Sequence, residues 1–373
     1  MSAQPLRNPS AAEPAPDSAE RKLRVVDLSP PEERALTSRD RHAKLEQMMG
    51  APEGFAQIFA DAVRALVRRE YERHVMPLIR RYWNESLAGP EGKKLRFLAC
   101  NLYASAPYTV LFCSPRRPWL LSAAVAVSRV LALSPWGLAR ASKIAMALFG
   151  RLALKKEHRR IVLISAFIAT IDHAFDHCME DDDPVTRGEK IRGLIDGTWE
   201  PDTGPLKLVK ALKDAMAEDI SPEDRAVFEA ALRRVVEWSE SEVKGMTGIP
   251  DPLGLCHRLA GVEGTIDGLI FPVHRYAGEG ARQWMYSVSL FVQMMDDWID
   301  YEKDRRDIRE TPVLNGTWAY ADVEMNWDET VRGIEALAAA SGLRNDSYQR
   351  FVRESYVFMM REVMEAMAKG VAA

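Results

Sequence analysis

Cysteine is scarce, net charge is small and long apolar runs are missing, and each shortage removes a class of protein. Cys100, Cys113, Cys178 and Cys256 are scattered over 373 residues with no CxxC pair. That excludes a zinc ribbon or a disulfide framework and fits a reducing compartment. The formal net charge is -4, so there is no basic footprint for nucleic acid and none is expected as a partner. The N-terminus lacks the apolar core of a signal peptide, and a cytoplasmic location is expected. No segment alternates apolar and polar residues as a half-buried strand does, and no short repeat recurs.

The most apolar stretch, Leu120 to Leu154, is interrupted by Arg129, Pro135, Arg140, Lys143 and Arg151. No run of about 20 uncharged apolar residues remains, which speaks against a spanning helix. With Pro115-Arg116-Arg117-Pro118-Trp119 in front, the 115–154 region reads either as a pair of ordinary core helices or as a helix in peripheral contact with a membrane surface.

What is present is helix. The chain is 47% hydrophobic and 28% charged, the balance of a globular protein with a sizeable core. Residues 1–28 are rich in Pro, Ala and Ser and read as a disordered arm. From Ser29-Pro30-Pro31-Glu32, a capping-box pattern with Pro in the first turn, residues 29–373 read as one all-α domain. Apolar residues at Phe55, Ile58, Phe59, Val63, Leu66, Val67 and Tyr71 predict a helix over 55–83. The same spacing predicts helices over 122–133, 137–152, 158–180, 188–195, 205–218, 222–245, 252–278, 281–304, 320–340 and 347–369, punctuated by Pro and Gly.

Two of these helices carry acids four apart. Asp296, Asp300 and Asp304 share one face of 281–304, a stripe about 12 Å long. Like charges at this spacing cost a few tenths of a kcal/mol each in an isolated helix. A hard cation is the commonest chemical reason to tolerate them, and Mg²⁺ is typically shared between carboxylates and a substrate phosphate. Asp172, Asp176 and Glu180 repeat the spacing on 158–180. Facing each other, the two helices would bracket a site. Asp297 points about 100° off its stripe and reads as a solvated or capping acid.

Met294-Met295-Asp296-Asp297-Trp298-Ile299-Asp300-Tyr301-Glu302-Lys303-Asp304-Arg305 resembles the second metal motif of the class IB terpene synthases, the tetraprenyl-β-curcumene synthase type. Thr170 and Ile171 through Asp176 to Glu180 are similar to that family's first acidic motif. Cys256-His257-Arg258-Leu259-Ala260-Gly261-Val262-Glu263-Gly264 resembles a run in squalene and phytoene synthases, and Gln293 with Asp300 and Asp304 matches the second motif of that wider superfamily. The resemblance covers roughly residues 155–310. The chain departs from it at Glu180, where the pattern has Asp, at His173, often Asp there, and at Arg306-Asp307-Ile308-Arg309, which replaces a Gly-rich segment.

The resemblance implies a helical bundle with a central cavity that ionises a linear, long-chain isoprenyl diphosphate and releases diphosphate. It implies several Mg²⁺ ions held by Asp172, Asp176, Asp296, Asp300 and Asp304, with Glu180 a further metal candidate. Arg305 matches a family arginine and is the first choice to grip diphosphate, followed by Arg258 and Arg275. The cationic intermediate needs a dry aromatic wall, and Phe167, Phe175, Phe271, Trp284 and Trp298 form the pool for it, each equally readable as core. Lys155, Lys156, Arg159 and Arg160 lie too far up their helix to reach the metals and read as a solvated face.

Three other readings stand beside this one. A head-to-head prenyl condensing enzyme of the squalene/phytoene type shares the metals but joins two substrates. A redox metal protein could use His173 and His177, four apart on one helix. A non-catalytic binding protein could keep the scaffold alone.

Overall fold

The computed structural model describes residues 27–52, 56–83, 155–179, 181–234, 279–306, 311–340 and 346–371, with single helical residues at 126, 130, 137, 140 and 144. Every regular element among the described residues is a helix, so the fold is all-α. In chain order they are α1 (Pro31–Arg34), α2 (Ser38–Met49), α3 (Ala56–His74), α4 (Met76–Tyr82), α5 (Lys155–His177), α6 (Pro184–Asp196), α7 (Gly204–Ala217), α8 (225–234), α9 (Glu279–Ile299), α10 (Tyr301–Arg306), α11 (Tyr320–Ala340) and α12 (Asp346–Val371).

Local chemistry sets the boundaries. The capping box is not at Ser29 and Glu32: α1 starts after Pro30 with no side-chain cap, and Ser29 is turned to other partners. It lies at α2, where Thr37 Oγ1 accepts from the Asp40 N–H and the Asp40 carboxylate accepts from the Thr37 N–H. The helix expected over 55–83 is two helices, because Pro77 has no N–H to donate back to residue 73 and its ring crowds that carbonyl. Asp183 caps α6 by accepting from the N–H groups of Val185 and Thr186, and Gly197, at φ 75°, ends it in the left-handed conformation that glycine adopts freely.

The core is one continuous apolar cluster. α5 packs between α3 and α7, and α9 packs on α11, α12 and α2. The contact of α3 with α12 joins these two groups. Around α9 the packing is aromatic. Trp284 donates its indole N–H to the Thr330 carbonyl at 2.9 Å, Phe291 lies 5.1 Å from Trp327, and Trp327 stacks on Tyr356 at 5.6 Å. Gly333 lets α11 approach, since a Cβ there would stand 2.7 Å from Trp284 Cδ1.

Candidate functional site

The acidic stripe lies where α9 runs deepest. Its first turns bury one face, through Ala281, Trp284, Met285 and Val288, the pattern of an amphipathic helix. From Met294 onward Met295, Asp297, Trp298, Ile299, Tyr301 and Asp304 are all buried, so the helix end is enclosed nearly all round. Asp296 and Asp300 are half-buried, and Asp304 is only 4% exposed. The helix is interrupted at Asp300, between α9 and α10. The four-residue rhythm survives, because the Asp300 N–H donates to the Asp296 carbonyl and the Asp304 N–H to the Asp300 carbonyl, both at 2.8 Å.

Two polar contacts tune this end. Lys303 Nζ is 2.7 Å from Asp300 Oδ2, one turn along. Gln293 Nε2 donates to Asp297 Oδ1 at 2.9 Å. Asp297 is 4% exposed, which corrects its reading as a solvated acid: direction relative to the stripe does not mean solvent when the helix is enclosed on both sides. Arg305 and Arg306 are exposed.

A buried arginine braces the opposite side. Arg41 of α2 is fully buried, with its guanidinium 4.2 Å from the Trp298 ring centroid and 3.7 Å from that of Tyr301. Its Nη2 donates to the Glu33 carbonyl at 2.6 Å, and its own carbonyl accepts the Trp298 indole N–H at 3.2 Å. Burial pulls its pKa below the ordinary arginine value, against the pull of Tyr301, Glu33, Glu302 and Asp27. The Tyr301 hydroxyl donates to Asp27, which also accepts from the hydroxyl and N–H of Ser29. Residues at the very start of the described chain thus hold the acidic helix.

No protein-family model matches this chain, and no curated protein does. The site therefore stands on its own residues.

Those residues divide by location. Asp172, Phe175 and Asp176 lie on α5, but their side chains are outside the described set, as is that of His177. Glu180, Arg258, Arg275, Phe271 and the 256–264 segment lie wholly outside the described residues. Neither α5 nor α9 is the other's main packing partner. Among the described residues no group of three or more His, Cys, Asp or Glu side chains converges as a metal cage. A stripe strung along α9 and α10 supplies one wall, with hard oxygen donors of the kind Mg²⁺ takes, and a cage needs a second.

Phe167, Trp284 and Trp298 are buried. Trp298 has Arg41 against one ring contact and Tyr320 at 5.2 Å as another, and Trp284 is fixed by Thr330. The ring of His173 lies 4.8 Å from that of Trp83. In the basic cluster before the first motif, Arg159 and Arg160 are not part of a solvated face, while the side chains of Lys155 and Lys156 lie outside the described set. Arg159 pairs with Asp219 and, at 2.6 Å, with Glu218, while Arg160 donates to the Asp219 carbonyl. These arginines tie α5 to the end of α7, because α7 delivers its terminal carboxylates to them. Among the described residues no helix is long and apolar enough to cross a membrane. In 115–154 only single residues are described, Val130 and Ile144 exposed among them.

Proposed function

We propose that this protein is a Mg²⁺-dependent terpene synthase acting on a linear isoprenyl diphosphate, as its resemblance to the class IB enzymes implies. The observation that carries the reading is the Asp296–Asp300–Asp304 stripe, kept in four-residue register by its backbone bonds, with Asp304 buried and Asp296 and Asp300 half-buried. Like charges lined up on one face repel, and a bound cation offsets that repulsion.

In this reading Asp296, Asp300 and Asp304 form one wall and Asp172 and Asp176 the other. Bound Mg²⁺ would neutralise charge on the diphosphate as its C–O bond breaks. Asp300, salt-bridged to Lys303, holds its carboxylate ready with a displaceable counter-ion. Arg305, exposed at the end of the stripe, can reach a phosphate from solvent. The buried Met294, Met295 and Ile299 keep water away from the helix on its other sides.

The test is a product screen with C15, C20, C25 and C30 diphosphates plus Mg²⁺, following diphosphate release and hydrocarbon formation. A product with the substrate's carbon count is expected, lost in a folded Asp300→Asn variant. A doubled carbon count would point to head-to-head condensation, and stoichiometric iron or zinc to the histidine reading. Absence of release with every substrate would remove the proposal.

A further inference from the structure

The acidic stripe is carried by two helices, not one. Asp296 belongs to α9, Asp304 to α10, and Asp300 is the junction between them. A junction of this kind can flex, and flexing would change the separation of the carboxylates. Something must set the angle if the three acids are to act together.

Arg41 is placed to do so. It comes from α2, far away in sequence, and is 0% exposed. One of its two ring partners, Trp298, is on α9, and the other, Tyr301, is on α10. The guanidinium therefore spans the junction, and a planar cation against two aromatic faces is a directional contact. The Trp298 N–H to Arg41 carbonyl bond and the Arg41 bond to Glu33 fix both ends of the residue. Arg41 Nε and Nη1 are buried with no hydrogen-bond partner among the described residues. A core position chosen for stability alone would favour an apolar side chain there. The cation is retained at a cost, and the junction is what it serves.

We infer that Arg41 is a positioning residue: by bridging Trp298 and Tyr301 it sets the angle between α9 and α10, and so the spacing of the carboxylates that would share Mg²⁺ and diphosphate. This rests on the proposed function. It assigns Arg41 no contact with substrate, since the rings it touches, Trp298 and Tyr301, are not members of the stripe.

The experiment uses the full chain, with inorganic diphosphate and Mg²⁺ as the probe, and pairs calorimetric binding with thermal unfolding. Arg41→Met should melt at or above the parent temperature, because an apolar side chain of similar length replaces an under-bonded buried cation. Its affinity for diphosphate with Mg²⁺ should nonetheless fall by about ten- to hundred-fold, the loss that a displacement of about 1 Å produces at a positioned site. Arg41→Lys, which restores a cation against the rings, should recover most of that affinity. Tyr301→Phe, which keeps the ring and drops the hydroxyl, should bind as the parent does.

Unchanged binding by folded Arg41→Met overturns the inference and leaves the functional reading standing. So does a parallel loss of stability and affinity that Arg41→Lys does not repair, which would mark Arg41 as structural only. If Tyr301→Phe loses as much as Arg41→Met, the hydroxyl network to Asp27 and not the cation sets the angle. If the parent protein itself binds no diphosphate with Mg²⁺, the functional reading falls and this inference with it.

Discussion

His158 shows how one buried side chain makes the fold sensitive to acid. It is 3% exposed on α5, and burial pushes its pKa down to about 4, with Glu70 pulling upward and Arg69 downward. Above pH 6.5 the imidazole is neutral in folded and unfolded chains, and its titration costs nothing. As pH falls from 6.5 towards 4 the unfolded chain takes the proton and the folded one resists, so stability is lost, by up to about 3 kcal/mol. Urea unfolding should show this slope, and His158→Gln should flatten it. Some loss of stability below pH 6.5 should remain from His74, whose pKa is also lowered, first by burial, with Glu70 pulling upward and Arg159 and Arg73 downward. Lys303 makes the second prediction at this scale. If its ammonium stands where a metal would, Lys303→Gln should tighten Mg²⁺ binding with diphosphate by up to about five-fold, the worth of a partly exposed ion pair. Calorimetric titration checks it, and weaker binding would make Lys303 a phosphate ligand instead.

Among the elements, α11 over Tyr320–Ala340 has the bounds that apolar spacing alone predicts. Spacing works there because one face is buried and the other solvated, so period and burial agree. Gly333 carries the element's own prediction. Alanine would add up to about 1 kcal/mol of helix propensity. The new Cβ meets Trp284 at 2.7 Å, and that indole is held by Thr330 and buried. Overpacking a fixed neighbour costs about 1–3 kcal/mol, so Gly333→Ala should lower the melting temperature. Where spacing failed, chain chemistry had overridden it. Pro77 splits the helix expected over 55–83, and the predicted 281–304 helix breaks at Asp300 although the apolar pattern runs straight through. The start of α6 was missed by the periodic pattern but was readable from Asp183 and Pro184 as cap and first-turn residues.

At the scale of the whole molecule, the acids of the stripe were readable and their surroundings were not. Four-residue spacing places Asp296, Asp300 and Asp304 on one face, but nothing near them in sequence announces Arg41 or Asp27, which reach their helix neighbours Trp298 and Tyr301 through the fold. Asp297 went wrong for the same reason, since helix geometry gives direction and not enclosure. The described packing puts α5 with α3 and α7, and α9 with α11, α12 and α2, joined through α3 and α12. A ligand held by acids of both α5 and α9 would bridge these groups and stabilise the whole chain. Binding to the folded state alone adds about 2.7 kcal/mol at a hundredfold excess over Kd. Mg²⁺ with diphosphate should therefore raise the melting temperature of the parent protein, and either ion alone should do less. Asp300→Asn and Asp176→Asn should each abolish most of the rise, because a charge lost from one wall leaves the other too weak to hold the metals. A rise that survives Asp176→Asn while Asp300→Asn removes it would restrict the site to the α9–α10 wall, and the two-sided arrangement would have to be given up.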